Sequence, residues 1–162
     1  MDASTSTSSV NQQALTFLLG QETYGVDILK VQEIRGWSPV TRIPHSPPHV
    51  LGVLNLRGSV VPIVDLRMRF ALPEAGFTPL TVIIVLSVTS PTGRRDFGLV
   101  VDAVSEVMDL DAGNIKPAPD VGTATSGEFI RGLATVNDAM VMLLDIDRLI
   151  GRDLEANRSL AT

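Results

Sequence analysis

Two stretches of this chain follow one plan. Val50, Gly52, Val53, Val61, Val64, Asp65 and Leu66 match Ile130, Gly132, Leu133, Val141, Leu144, Asp145 and Ile146, 80 positions later and with no gap over 17 positions. An earlier block repeats at an offset of 73. It carries Tyr24, Gly25, Val26, Val31, Glu33, Ile34 and Pro44 onto Phe97, Gly98, Leu99, Val104, Glu106, Val107 and Pro117. The seven-residue difference fits inside the Gly/Thr/Ser-rich run from Val121 to Phe129. Two gapless blocks in the same order mark an internal duplication. Each half has only about 70 residues, where a separate core becomes marginal. The duplication therefore predicts two similar units sharing one core.

The local pattern says what those units are made of. Leu54 to Leu66 reads as a hairpin. Asn55 to Gly58 is its turn, because Gly permits positive φ and Asn tolerates it. The β-branched run Val60 to Val64 is its returning strand. Pro62 lacks an N–H and belongs at an edge or bulge. Further strands are expected at Ala14–Leu19, Thr23–Asp27, Gln32–Gly36 and Val40–Ile43, with one helical turn over Ile28–Val31. Pro44 to Pro48 should be a stiff, extended connector. Leu80 to Val88 reads as a strand buried on both faces. Phe97–Val101, a helical turn and strand over Ala103–Val107, a second proline connector at Ile115–Pro119 and a hairpin from Phe129 to Asp145 follow, the last with Asn137-Asp138 at its tip. Short strands with turns every 8 to 12 residues and no long helical period predict an all-β fold. Residues 1–13 should be a loose tail and 14–150 a single domain, with halves at about 14–75 and 78–150 and strands exchanged between them. Residues 151–162 should form a second tail.

Composition narrows the function. With 44% apolar and 19% charged residues, the chain is globular in character. A net charge of −5 without basic runs argues against nucleic acid as partner. The absence of cysteine excludes disulfides, zinc–thiolate sites and thiol catalysis. No secretory signal is evident, and the longest apolar run is too short to span a bilayer, which predicts a cytoplasmic protein. His45 and His49 are four apart, but the prolines between them forbid the helix that would make this a metal-binding spacing. Asp109, Asp111 and Asn114 lack the ligand order of a calcium loop. Asp27, Asp65, Asp102 and Asp145 stand at strand ends. They could serve as catalytic carboxylates, yet capping a turn is the commoner role. No phosphate-binding glycine loop is present. What remains are aliphatic residues beside isolated charges. Val31, Ile34, Glu33 and Arg57 in the first half, with Val104 and Val107 in the second, could be ordinary core plus a surface ion pair. That is the commoner arrangement, but a duplicated fold also creates a groove between its halves, and these residues could rim it as a dock for a partner helix.

The motifs Y-G-V-D-I-L-K-V-Q-E-I-R-G (24–36), V-T-R-I-P (40–44), N-L-R-G-S-V-V-P-I-V-D-L-R (55–67), F-G-L-V-V-D-A-V-S-E-V (97–107) and I-K-P-A-P-D (115–120) resemble the CheW family of bacterial chemotaxis coupling proteins. The resemblance runs from about Ala14 to Ile150. It implies two pseudo-symmetric five-stranded SH3-like barrels sharing a hydrophobic core. It also implies no enzymatic activity, no cofactor and no metal. The implied partners are the cytoplasmic tip of methyl-accepting chemoreceptors and the regulatory domain of the CheA histidine kinase, in arrays at the inner membrane. A CheW-like scaffold of another receptor–kinase pathway, such as twitching motility, is the alternative. By the same resemblance Val31, Glu33, Ile34, Arg57, Val82 and Val107 would bind receptor. Val40 and Gly52 on the first barrel, with Lys116 and Val121 on the second, would bind kinase. Some relatives carry an aromatic at the place of Val121, which implies weaker ring closure here or a different kinase surface.

Overall fold

A computed structural model describes residues 12–70, 72, 76–90, 93–111, 113, 115–117, 129–136 and 138–150. The expected tails, apart from Gln12 and Gln13, lie outside these residues. So do Val121, Asn137 and residues 118–119 at the end of the second proline connector.

Eleven strands are present among the described residues. They are β1 (Gln12–Leu19), β2 (Glu22–Asp27), β3 (Val31–Gly36), β4 (Val50–Leu56), β5 (Ser59–Asp65), β6 (Val82–Ser90), β7 (Gly93–Val101), β8 (Ala103–Leu110), β9 (Ile115–Lys116), β10 (Ile130–Val136) and β11 (Ala139–Leu144). A 3-10 turn, Ile28–Lys30, joins β2 to β3, and a four-residue helix α1, Leu66–Arg69, follows β5. The fold is all-β.

Pairing carries out the duplication in full. One sheet runs β8-β1-β2-β11-β10-β9 and the other β3-β6-β7-β5-β4. Each sheet takes its first hairpin from one half and its second from the other. The junction is a parallel pair in both cases. Leu143 stands opposite Gly25 where β11 meets β2, and Ile63 opposite Gly98 where β5 meets β7. At offsets of 80 and 73 these are one and the same register. Irregularities repeat as well, at Val50/Gly52 and Ile130/Gly132. Val104 opposite Phe17 repeats Val31 opposite Leu86.

Alternation along the strands then sorts the apolar residues into three cores. On one face of the five-stranded sheet, Leu56, Val61, Ile63, Ile83, Val85 and Val100 form a cluster with Trp37 and Val40 packed against it. The six-stranded sheet has its own cluster of Ala14, Leu110, Ala134, Val141 and Leu143. The opposite faces meet in the largest core, which includes Phe17, Tyr24, Val64, Ile84, Leu86, Phe97, Phe129 and Leu149 and so draws on both halves. Two barrels sharing a core are what this arrangement amounts to. Strand β6 is buried on both faces for that reason, with Ile83 and Val85 in the barrel and Ile84 and Leu86 in the shared core. Fully burying each of these side chains stabilises the fold by about 1.5–3 kcal/mol before entropy is counted.

Several local expectations need correction. Strand β1 begins at Gln12, two residues early, because Gln12 and Gln13 pair with Leu110 and Asp109. Residues 40–43 form no strand; Thr41 makes a single bridge to Val53. Pro39 and Pro44 flank it, and neither has an N–H to extend a ladder. No helical turn precedes β8, since only Asp102 separates it from β7. The positive φ of the first hairpin turn falls on Arg57 (52°) and Gly58 (87°), as a type I′ turn requires. Asn55 stays in β4, and its Oδ1 accepts from the Gly58 N–H at 3.0 Å.

Pro62 is not on an edge strand, because β5 lies between β7 and β4. It sits opposite Val53, whose N–H and carbonyl both turn away to Thr41 (2.8 and 3.0 Å). Pairing with β7 starts only at Ile63. Neither neighbour needs a donor from residue 62.

Candidate partner-binding surfaces

Strand β3 is one edge of the five-stranded sheet, and the β4–β5 hairpin forms the other. Arg57, at the tip of that hairpin, reaches back across the gap. Its Nη2 lies 3.0 Å from Glu33 Oε1 on β3. The ion pair clasps the two edges of the sheet together. Arg35 Nη1 approaches the other oxygen of Glu33 at 3.5 Å. Two guanidiniums thus surround one carboxylate, leaving a locally positive rim on an acidic chain. The side chain of Arg57 is 81% exposed, so the clasp itself contributes little to stability.

The apolar residues beside this rim belong to the shared-core face. Val31 stands opposite Leu86, Ile34 opposite Ile84, and Gly36 opposite Val82. The bulge at Gln32 puts Val31 and Ile34 on the same face. Val31 and Val82 pack against the shared core, while Ile34, at the sheet edge, is 44% exposed. Val31 and Ile34 thus share one face of β3 with Val82 on the neighbouring β6, whereas Glu33, opposite Val85, is on the other face, where Arg57 reaches it from the tip of the β4–β5 hairpin. Val107 does not join them in that sheet. It lies on β8, the edge of the six-stranded sheet, opposite Leu15, and is likewise exposed. By the duplication it is the counterpart of Ile34.

The four other predicted positions divide differently. Val40 packs against the first barrel's own core. Gly52 is crowded: a Cβ there would run directly into the Thr41 carbonyl oxygen. The residue is a glycine because the backbone at Thr41 passes over it. Substitution would therefore displace Val40 and Thr41, so any effect on binding at this place is transmitted through the backbone. Lys116 is exposed on β9, opposite Leu133. Val121 is outside the described residues.

Asp27, Asp65 and Asp145 cap the turns that follow their strands. They accept from the N–H groups of Leu29, Arg67 and Arg148 respectively. Asp65 does more than cap. Arg67 is almost fully buried, and donates from Nε and Nη2 to the two oxygens of Asp65, each at 3.1 Å. Its Nη1 donates to Asp102 Oδ1 (3.0 Å) and to the Gly76 carbonyl (3.1 Å). Asp102 Oδ2 in turn accepts from Gly20 N–H at 2.7 Å, tying the network to the β1–β2 hairpin. Burial works to lower the pKa of Arg67, but the hydrogen bonds and charges of Asp65 and Asp102 prevail and hold it above its ordinary value. Phe77 lies beside the guanidinium and stacks on Trp37 at 4.0 Å between centroids. Sequence reasoning placed Asp65 and Asp102 only as strand ends and gave Arg67 no role. Position 67 has Asp147 as its counterpart, so comparing the halves would have marked it as a place where charge matters. Next to this network, between the proline connector and α1, an open cleft of ≈ 940 Å³ is lined by Ile43, Pro44, Pro47, Arg67, Met68 and Phe77 among others.

These features describe an all-β, two-barrel binding scaffold whose exposed edge strands and hairpin tips are its presentable surfaces. A family model for the CheW-like domain matches residues 13–154. The chemotaxis protein CheW of Klebsiella aerogenes is 46% identical over 145 residues, covering 90% of this chain and 85% of that protein. The chemotaxis protein CheW of Rhizobium meliloti is 40% identical over 136 residues, covering 84% and 85%. The crystal structure of the scaffolding protein TtCheW from Thermoanaerobacter tengcongensis superposes with a TM-score of 0.78. That pair shares 33% identity and covers 86% of this chain and 92% of that one. The chain belongs to the CheW-like family, as a chemotaxis adaptor. No helix among its described residues is long and apolar enough to cross a membrane.

Proposed function

We propose that this chain is a non-enzymatic coupling adaptor. One surface engages the cytoplasmic tip of a methyl-accepting chemoreceptor, and another the regulatory domain of the CheA histidine kinase, in arrays beneath the inner membrane. The observation that carries the reading is the edge of the first barrel, where exposed Ile34 continues the apolar shared-core face next to the fixed Glu33–Arg57 pair. An apolar strip with a charged rim suits an amphipathic helix, whose aliphatic residues would cover Ile34 and whose polar groups would meet Arg57. Val31 and Val82 shape the strip, and Val107 offers the equivalent place on the second barrel. The kinase would use two separate places, around Val40 and Gly52 on the first barrel and around Lys116 on the second.

The test is titration calorimetry against two probes, a receptor cytoplasmic fragment and the CheA regulatory domain, using wild type, Ile34→Asp and Lys116→Glu. Ile34→Asp should abolish receptor binding and leave kinase binding intact, and Lys116→Glu should weaken only the kinase. Both substitutions replace exposed side chains, so the fold should persist. A folded wild type that binds neither probe would sink the reading.

A further inference from the structure

The two halves offer nearly interchangeable strands. β2 meets β11, and β7 meets β5, in one parallel register, with a glycine, Gly25 or Gly98, at the same place in each. Phe17 opposite Tyr24 on the first hairpin repeats as Leu86 opposite Phe97 on the second. Backbone and shape alone would let either hairpin dock beside either β5 or β11. The charges just beyond the strands differ. Past β2 and β11, Lys30 Nζ meets Asp147 Oδ2 at 2.9 Å. Past β7 and β5, Asp102 Oδ1 meets Arg67 Nη1 at 3.0 Å. Arg67 and Asp147 are equivalent at the 80-residue offset, and Asp102 and Lys30 fall within one position of each other at the 73-residue offset. The same ion pair is therefore made twice with its polarity reversed.

We propose that this reversed polarity decides which hairpin joins which sheet. A β1–β2 hairpin docked beside β5 would bring Lys30 towards Arg67, a buried cation that has lost Asp102. A β6–β7 hairpin docked beside β11 would set Asp102 against Asp147. Both wrong pairings oppose like charges in places where both right ones attract. Within one molecule, the three-residue turn Ile28–Lys30 already restricts where β1–β2 can go. The misdocking left open is between molecules, when the hairpin of one copy enters the site another copy holds for its own second hairpin. That hazard grows with concentration during folding.

The experiment is refolding of the full chain by dilution from urea over a range of protein concentrations. Recovery of the native-size species is read by size-exclusion chromatography. Three proteins are compared: wild type, the reversal Lys30→Asp with Asp147→Lys, and the neutral pair Lys30→Met with Asp147→Asn. The reversal keeps an attractive native pair but makes both wrong pairings attractive. Its recovery should fall severalfold as concentration rises, with larger species appearing. The neutral pair, which has neither the attraction nor the repulsion, should fall between the two; a neutral pair that matches wild type also overturns the proposal. Equal recovery for all three overturns the proposal. So does a neutral pair that loses as much as the reversal, since the ion pair would then be only a stabilising contact.

Discussion

Arg67 and Asp147 stand at equivalent places in the two halves, yet their ion pairs should differ greatly in worth. Arg67→Met removes the cation from a network in which the side chains of Arg67 and Asp65 are only 4% and 5% exposed. Removing one partner of a buried pair costs about 3–5 kcal/mol, because the other charge is left without compensation. The Asp102 arm is 27% exposed and is discounted for solvent screening, which favours the lower part of that range. At about 2–4 °C per kcal/mol for a domain of this size, the melting temperature should fall by roughly 6–16 °C. Lys30→Met breaks the counterpart pair, whose side chains are 29% and 47% exposed. That loss should be within about 1 kcal/mol. Urea and thermal unfolding followed by circular dichroism measure both. Trp37 fluorescence adds a local probe, since Trp37 stacks on Phe77 beside the guanidinium. A cost for Arg67→Met no greater than that for Lys30→Met would refute the reasoning, and would mean that water reaches Asp65 once the arginine is gone.

Other outcomes follow from single positions. Gly52→Ala should destabilise by about 1–3 kcal/mol, because its Cβ collides with the Thr41 carbonyl, whereas Gly36→Ala, with open space around it, should stay within about 0.5 kcal/mol. Urea midpoints separate the two. Tyr24 has a pKa raised above 10.0 by burial and by the charge of Glu22. A raised folded-state pKa contributes stability that is fully present below 10.0 and is lost as pH rises through the folded value. Tyr24→Phe should therefore show a shallower loss of stability above about pH 10, and parallel alkaline unfolding curves would contradict this. Arg57→Ala should leave the melting temperature within a few degrees of wild type, since the clasp is exposed, while weakening receptor binding in calorimetry.

By itself the sequence determined what is local or periodic. The two offsets announced the duplication, and strand alternation fixed which side chains face a core. The Arg57–Gly58 turn, the strand-end aspartates and the doubly buried run of β6 could all be read from neighbours a few residues away. The motifs around Glu33 and Arg57 singled out two residues that the fold brings into an ion pair. Tertiary structure decided which strands the halves exchange, because the two parallel junctions share one register and differ only in the charges just beyond the strands. It also showed that Pro62 can sit in an interior strand, since Val53 opposite it bonds to Thr41 instead and pairing with β7 starts only at Ile63. The same holds for Gly52, whose need for glycine comes from a backbone eleven residues away. The buried network of Asp65, Arg67 and Asp102 spans 35 residues between Arg67 and Asp102. Its members have no spacing that links them in the chain; desolvation of a charge, which only a packed interior imposes, brings them together.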